Sequence, residues 1–208
     1  LFVLSDIETE MFEAINRNKF PVLLGGEHSI THGAVRAAHK KFENLHVVHI
    51  DAHADLKKDY EGSIYNHACA LYHAYKAGTP LTQIGIRSLT KEEHLLIKEN
   101  PDKIYTFFAS PENVDIDKVL STISSKNVYL TIDLDGLDPS IMPDVGTPEP
   151  GGLLWYEMIS LLEKLFSNFN VVGADIVELC PSESSVVSDF TAAKLLYKLL
   201  AYKEQSLR

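Results

Sequence analysis

The sequence predicts an α/β fold of three layers, in which helices cover both faces of a mainly parallel sheet. Short apolar runs rich in β-branched residues alternate with amphipathic stretches along the 208 residues. The runs are apolar at successive positions, which is typical of strands buried on both faces. Strands that alternate with helices form right-handed βαβ units and therefore parallel sheets. The length fits a single domain over residues 1–208.

The apolar runs predict the strands, and the amphipathic stretches between them predict the helices. In order, the predicted strands are 20–25 (FPVLLG), 45–51 (LHVVHID), 82–86 (TQIGI), 104–108, 127–133 (NVYLTID) and 170–177 (NVVGADIV). The predicted helices are 6–18, 31–42, 66–77, 90–99, 115–125, 155–166 and 188–203. Thr90 and Glu93 form a capping box that begins the fourth helix.

Composition excludes several classes of function. A net charge of −10 argues against nucleic-acid binding, which needs clustered Lys and Arg, and is compatible with metal ions or a cationic ligand. No apolar run approaches the roughly 20 residues that span a bilayer, so a soluble cytoplasmic protein is expected. Cys69 and Cys180 form no CxxC motif, and both are interpreted as small buried residues.

Charged and imidazole side chains follow four of the predicted strands, at the point where each strand ends. In parallel sheets, the carboxyl ends of the strands form the edge at which ligands bind. The segments at these ends are GGEHS (25–29), DAHAD (51–55), DLDGLDP (133–139) and the single residue Glu178. We therefore expect these side chains to meet at one edge of the sheet.

Spacing groups these side chains further. Residues two positions apart in an extended chain project to the same side, so Asp51, His53 and Asp55 share one face. By the same rule, Asp133 and Asp135 share another face. Carboxylates this close repel one another unless positive charge lies between them. Two divalent cations would balance the four aspartates.

The predicted ligands are carboxylates and imidazoles, without a thiolate. They are His28, Asp51, His53, Asp55, Asp133 and Asp135. This donor set favours Mn²⁺, although Zn²⁺, Co²⁺ and Fe²⁺ also bind such sites. Two metal ions that share a bridging water supply a hydroxide nucleophile near neutral pH.

Each motif alone also has a structural explanation. A lone DxDxxDP pattern is often a capping turn with solvated carboxylates, and Asp138 is interpreted as a turn former ahead of Pro139. His49, inside a strand, is interpreted as a core histidine with satisfied hydrogen bonds. The combination of motifs at separate strand ends favours metal binding over these readings.

The segments GGEHS, DAHAD and TIDLDGLDPSIMPDVGTPEPGG resemble the ureohydrolase superfamily, which includes arginases and agmatinases. The resemblance runs from about residue 20 to the C-terminus. It implies an arginase-like fold and two Mn²⁺ ions per chain. One ion would be held by His28, Asp51, Asp55 and Asp133, and the other by Asp51, His53, Asp133 and Asp135, with Asp51 and Asp133 bridging.

The resemblance implies two catalytic residues. His67, in YNHACA, matches the family's histidine that handles protons during product release. Glu178, in GADIVELCP, matches the carboxylate that grips the substrate guanidinium. Their alternative readings are a histidine at a helix N-terminus and a buried salt-bridge partner. Arg87 and Asp175 also match family positions and are interpreted as scaffold.

The stretch GTPEPGG is similar to agmatinases and related guanidinoacid hydrolases more than to arginases. It implies hydrolysis of agmatine, a small cationic guanidino compound, to putrescine and urea, a reaction of polyamine biosynthesis. After Glu178 the chain reads CPSES, where many agmatinases have an aromatic residue and an aspartate. Glu183 is therefore considered as an alternative contact for the far end of the substrate.

Other functions remain open at this point. An arginase or a guanidinobutyrase-type hydrolase would share the same chemistry on another substrate. A single-zinc deacetylase would leave Asp55 and the Asp133–Asp135 pair without a use, and a non-catalytic ureohydrolase-like protein would bind a guanidino ligand without releasing urea. The family also has further strand–helix units before the position of residue 1, and it forms trimers or hexamers. We therefore expect a homo-oligomer whose N-terminal family units are absent from this chain.

Overall fold

Parallel strands form one central sheet. The computed structural model describes residues 2–207. In chain order the strands are β1 (Val22–Leu24), β2 (His46–Ile50), β3 (Leu81–Ile86), β4 (Ile104–Phe108), β5 (Asn127–Asp133) and β6 (Asn170–Val177). Their order across the six-stranded sheet is β1-β6-β5-β2-β3-β4, and each neighbouring pair is parallel. The predicted α/β fold with a mainly parallel sheet is confirmed, and each predicted strand overlaps an observed one.

Helices occupy each of the predicted helical stretches. They are α1 (Phe2–Asn16), α2 (Thr31–Lys41), α3 (Ala70–Lys76), α4 (Lys91–Glu99), α5 (Ile116–Ser121), α6 (Trp155–Asn168) and α7 (Val187–Ser206). Thr90 and Glu93 form the predicted capping box, because the backbone N–H of Thr90 donates to Glu93 Oε2 at 2.8 Å and that of Glu93 to Thr90 Oγ1 at 3.3 Å. Within residues 2–207, no helix is long and apolar enough to cross a membrane.

Two apolar layers hold the helices on the sheet, one on each face. Val128, Leu130 and Ile132 of β5 pack with residues of α5, α6 and α7. Tyr129, whose side chain alternates to the other face, packs with residues of α1, α2, α3 and α4. The strands are therefore buried on both faces, which explains their continuous apolar sequences.

The sheet order brings the predicted site segments together. The strands β1, β6, β5 and β2 are consecutive across the sheet, and they are the strands that run into His28, Glu178, Asp133 and Asp51. Because these strands are parallel, their carboxyl ends lie at the same edge. This edge is the position that the sequence predicts for a ligand site.

The two cysteines differ in environment. Cys69 is buried at the start of α3, as expected, but Cys180 is exposed, so the prediction of burial for Cys180 is wrong. The reason is that the chain has left the sheet after Val177, and the backbone N–H of Cys180 donates to Asp144 O in a surface connection.

Candidate metal centre

The predicted strand ends meet around one cavity at the carboxyl edge of the sheet. Its volume is about 490 Å³. The predicted site residues that line it are His28, His53, Asp55, His67, Asp133, Asp135 and Glu178. Asp51 is fully buried beside them. Glu183 is exposed and is not among the described residues that line this cavity, so the alternative contact through Glu183 lacks support.

Carboxylate oxygens surround one nitrogen of His28. The distances from His28 Nδ1 are 3.0 Å to Asp55 Oδ2, 3.2 Å to Asp51 Oδ2 and 3.3 Å to Asp133 Oδ2. His28 is fully buried, and its Nδ1 atom has no hydrogen-bond partner among the described residues. A buried nitrogen without a partner, in the middle of three carboxylates, fits a metal ligand better than a core residue.

The hydrogen bond on the other side of the His28 ring fixes the position of its proton. His28 Nε2 lies 2.8 Å from Thr131 Oγ1, and the Thr131 hydroxyl donates to Asp175 Oδ1 at 2.6 Å. Because the hydroxyl proton is used on Asp175, Thr131 accepts from His28 Nε2. A neutral His28 therefore directs the lone pair of Nδ1 at the carboxylates. In this form, the His28 nitrogen and the carboxylates would together hold a cation placed between them.

A second group of ligand atoms lies next to the first and shares Asp51. His53 Nδ1 lies 3.0 Å from Asp135 Oδ2 and 3.5 Å from Asp51 Oδ1. Candidate ligand atoms of Asp51, His53 and Asp135 all lie within 4.8 Å of one another. One oxygen of Asp51 thus faces His28 and the other faces His53, as expected for a bridging carboxylate.

Turns, and not only extended strands, bring these side chains together. Strand β2 ends at Ile50, and Asp55 adopts a left-handed backbone conformation with φ 51°. Asp135 lies in a 3₁₀ helix (Leu134–Gly136) whose first turn is capped by Asp133, since Asp133 Oδ1 accepts from the N–H of Asp135 at 2.9 Å. The assumption of an extended chain over 51–55 is therefore only partly correct, although the side chains converge as predicted.

The backbone of Glu178, a further predicted site residue, is strained. Glu178 follows β6 with φ 67°, a conformation that is costly for a side chain of this size. Its N–H donates to Gly26 O at 2.8 Å, and its Oε1 accepts from the N–H of His28 at 2.7 Å. Burial raises the pKa of Glu178, and the hydrogen bond from the His28 backbone opposes this rise. The bond to His28 holds one carboxylate oxygen of Glu178 at the wall of the cavity.

Burial and mutual repulsion shift the pKa values in the cluster. Burial, and next the charge of Asp51, raise the pKa of Asp133 well above its ordinary value. Burial alone would lower the pKa of His53, but the carboxylates of Asp135 and Asp51 outweigh it and raise this pKa to about 11. Burial would also lower the pKa of His28, but the surrounding carboxylates outweigh it and raise this pKa well above its ordinary value. Positive charge stabilises this cluster of carboxylates, and either protons or divalent cations can supply it.

At the rim of the cavity, His67 lies beside an acidic residue. His67 Nδ1 is 3.5 Å from Glu27 Oε2, and both side chains are about half exposed. Asn66 caps the 3₁₀ helix that begins at His67, since its side chain accepts from the N–H of Ala68. His67 is therefore located at the first residue of a helical turn, which is also its alternative structural reading. The catalytic roles of His67 and Glu178 stay predictions.

Arg87 connects the two loops that carry the outer wall of the site. Its guanidinium donates to the backbone carbonyl oxygens of Gly85, Asp135, Glu149 and Pro150, at 2.7–3.0 Å. Thr147, in the same GTPEPGG loop, donates from Oγ1 to Asp135 Oδ2 at 3.1 Å. The interpretation of Arg87 as scaffold agrees with these contacts, and they show which segments it joins.

The sequence analysis missed residues that contact the predicted ligands. His49, interpreted as a core histidine, is fully buried, but its Nε2 lies 2.6 Å from Asp51 Oδ2. A signal was present, because His49 precedes Asp51 by the same spacing that groups Asp51 with His53. The contact from Thr147 depends on a distant loop, and no local pattern predicts it.

Comparison with known proteins identifies relatives over nearly the whole chain. The N(1)-aminopropylagmatine ureohydrolase of Synechocystis sp. is 44% identical, over 93% of this chain and 64% of its own length. The agmatinase of Bacillus subtilis is 35% identical, over 93% of this chain and 67% of its own length. The chain thus spans about two thirds of the length of these curated relatives.

Solved structures share the fold. Agmatine ureohydrolase of Thermoplasma volcanium superposes with a TM-score of 0.86 at 38% identity, covering 98% of this chain and 69% of that one. Arginase from Bacillus subtilis gives a TM-score of 0.82 at 29% identity, covering 95% of this chain and 77% of that one. The family model of the arginase family matches residues 1–201. The protein is a member of the arginase family, the ureohydrolases.

Proposed function

We propose that this protein is a binuclear manganese hydrolase that releases urea from a linear guanidino compound. The observation that carries the proposal is the meeting of His28 Nδ1 with three carboxylates, beside a second histidine–carboxylate group that shares Asp51. Membership of the arginase family supports the same class of reaction. Non-catalytic binding of a guanidino ligand is the alternative that the experiment below separates.

The chain supplies ligands for two metal ions. The first would be held by His28, Asp51, Asp55 and Asp133, and the second by Asp51, His53, Asp133 and Asp135. Oxygen and imidazole donors without a thiolate favour Mn²⁺. When bound, a metal pair of this kind supplies Lewis acidity and lowers the pKa of the attacking water.

Glu178 and His67 would handle the substrate. One oxygen of Glu178 accepts from the His28 backbone, which leaves the other free to bind a guanidinium through charge-assisted hydrogen bonds. This contact would orient the central carbon of the guanidinium toward the metal ligands. His67, at the rim, would deliver a proton to the leaving amine, a step for which imidazole is suited near neutral pH.

We propose agmatine as the substrate, with putrescine and urea as products. N(1)-aminopropylagmatine is a second candidate, because relatives at 44% and 37% identity are named for it. The two compounds share the guanidino end and differ in the length of the amine tail. The deep part of the cavity would therefore bind the guanidino end of both compounds in the same way. Contacts at the rim with the amine tail would determine which compound is preferred.

The test is urea release by the Mn²⁺-loaded protein. Agmatine, N(1)-aminopropylagmatine, arginine and guanidinobutyrate are supplied in parallel. We expect urea from one of the first two compounds. Urea from arginine or guanidinobutyrate alone would keep the reaction class and reject the proposed substrates.

A matched pair of variants ties the activity to the site. Asp135→Asn removes a predicted ligand charge and is expected to abolish urea release. Asp138→Asn changes the same kind of side chain in the adjoining turn, where Asp138 Oδ1 only accepts from the N–H of Ser140 at 2.8 Å. Equal loss in both variants, or two bound metals without urea from any substrate, would count against the proposed hydrolase.

A further inference from the structure

A row of polar side chains crosses the sheet directly beside the metal ligands. Neighbouring strands align Asp175 with Thr131, Thr131 with His49, His49 with Gln83, and Gln83 with Thr106. All of these residues except Thr106 are fully buried. Buried polar groups must satisfy one another, because water does not reach them. The row therefore fixes hydrogen positions that would otherwise be free.

The amide of Gln83 has one possible orientation. Gln83 Nε2 lies 2.7 Å from the carbonyl oxygen of Ala54, which can only accept a hydrogen bond. This contact identifies the atom as the amide nitrogen. On the other side, Gln83 Oε1 accepts from Thr106 Oγ1 at 3.2 Å, in agreement with the same orientation. One N–H of the amide remains for another partner.

That remaining N–H points at His49. The distance from Gln83 Nε2 to His49 Nδ1 is 3.0 Å, so Nδ1 accepts and carries no proton. The proton of a neutral His49 then lies on Nε2, which is 2.6 Å from Asp51 Oδ2. With the proton on Nδ1 instead, two N–H groups would face each other and a lone pair would face the carboxylate.

We propose that Gln83 is a positioning residue for metal binding, and that it acts by holding His49 as an Nε2–H donor to the Asp51 carboxylate, which both proposed ligand groups share. The inference rests on the proposed metal function. Asp51 Oδ1 also accepts from the N–H of His53 at 2.6 Å, so each oxygen of this carboxylate has one fixed donor. Asp51 is held by donors on both sides before any cation binds, and Gln83 also tethers the 51–55 loop through Ala54.

The first test is the tautomer of His49 in the metal-free protein. Nitrogen-15 NMR of the imidazole is expected to show a protonated Nε2 and an unprotonated Nδ1. In Gln83→Met, which keeps the side-chain length and removes both donors, we expect this preference to be lost. In Gln83→Glu, which offers acceptors only, we expect a proton on Nδ1. A wild-type protein with the proton on Nδ1 would overturn the inference.

The second test is Mn²⁺ affinity, measured by calorimetric titration and by the EPR signal of free Mn²⁺. Loss of a residue that orients a ligand typically weakens metal binding about 10- to 100-fold, and this range is expected for Gln83→Met. Thr106→Val is the matched control, because it removes a bond of the same row and leaves the donors to His49 and Ala54 intact. Thermal unfolding of the metal-free variants verifies that both are folded.

The outcomes separate this inference from the proposed function. If wild-type protein binds Mn²⁺ but releases no urea, the hydrolase proposal fails while the affinity comparison still tests Gln83. Equal Mn²⁺ affinities in Gln83→Met and Thr106→Val would overturn the role of Gln83, whatever the activity. If a variant does not fold, the wild-type NMR measurement decides.

Discussion

The inner part of the site, where His28, Asp51 and Asp133 meet, differs from the outer part around His67 and Glu27. The side chains of His28 and Asp51 are 0% exposed, whereas those of His67 and Glu27 are 46% and 51% exposed. Inner polar atoms are oriented by other buried side chains, whereas the outer side chains are half exposed and also contact solvent. We infer from this difference in burial that the two parts have separate tasks. We expect the inner part to determine metal binding and the outer part to determine proton transfer.

Asp133→Asn is expected to break the inner part most severely. The neutral amide removes a charge from both proposed metal sites, so we expect loss of metal. We also expect a fall in kcat/KM larger than the roughly 100-fold that is typical when a residue hydrogen-bonded to a metal ligand is lost. In the metal-free protein the same change removes the cost of burying the Asp133 charge and its repulsion with Asp51, so the free energy of unfolding is expected to rise. Elemental analysis and chemical unfolding measure the two effects. A variant that retains both metals would contradict the assignment.

The pH dependence of metal binding is the next largest expected effect. The carboxylates raise the pKa of His53 to about 11 and that of His28 well above its ordinary value, so metal ions held by these residues would have to displace protons from both rings. If each ring gives up one proton, affinity falls by about 100-fold for each unit of decreasing pH. Calorimetric titrations in buffers of different ionisation enthalpy count the released protons. Binding without proton release would refute the linkage.

The stability of the metal-free protein depends on pH in the opposite direction to metal binding. The folded-state pKa of His53 lies above its ordinary value of 6.5, so protonation stabilises the folded state. This contribution is complete below about pH 6.5 and is lost as the pH rises toward 11. Protonation of His53 therefore stabilises the metal-free protein at low pH, and loss of this proton favours metal binding at high pH.

Much of the fold was predictable because strands buried on both faces appear in the sequence as nearly continuous apolar runs. Runs such as NVYLTID and NVVGADIV are mostly apolar at successive positions, and they correspond to β5 and β6. The predicted ligands could also be found from the sequence, because each lies at or shortly after the end of a strand. Parallel strands bring such ends to one edge whatever their order, so the grouping did not require the order to be known.

The hydrogen-bonding partners of the ligands were not predictable in the same way. His49 pairs with Gln83 across the sheet, and Thr131 with Asp175, only through the order and register of the strands. Each is an isolated polar residue in an apolar strand, which is a signal for a buried bond but not for its partner. Glu178 was linked to the site by its strand, but its left-handed φ of 67° depends on tertiary contacts.

Arg87→Lys is expected to loosen the two loops that Arg87 joins at the wall of the site. Lysine cannot reproduce the planar set of donors that binds the carbonyls of Asp135, Glu149 and Pro150. Leaving the carbonyl of the buried Asp135 without a partner costs about 1–3 kcal/mol, and we expect a similar loss in the free energy of unfolding, since water can replace the donor at the exposed Pro150. Because the Arg87 guanidinium holds the Asp135 carbonyl, metal binding at the proposed site of Asp135 should weaken about tenfold. Unfolding and Mn²⁺ titrations measure both, and Lys57→Arg, at the cavity wall, is a control for a change between basic residues.

Glu27→Gln is expected to have the smallest effect and to test the outer part alone. Glu27 and His67 are 3.5 Å apart and half exposed, and such exposed pairs are worth about 0–1 kcal/mol. We expect kcat to fall by no more than about fivefold, with the metal content unchanged. His67→Gln removes the proposed proton carrier and should cost about 100-fold or more in kcat. Steady-state kinetics with elemental analysis compares the two. If Glu27→Gln lowers metal content, the outer part also supports the metals, and the division between the two parts is wrong.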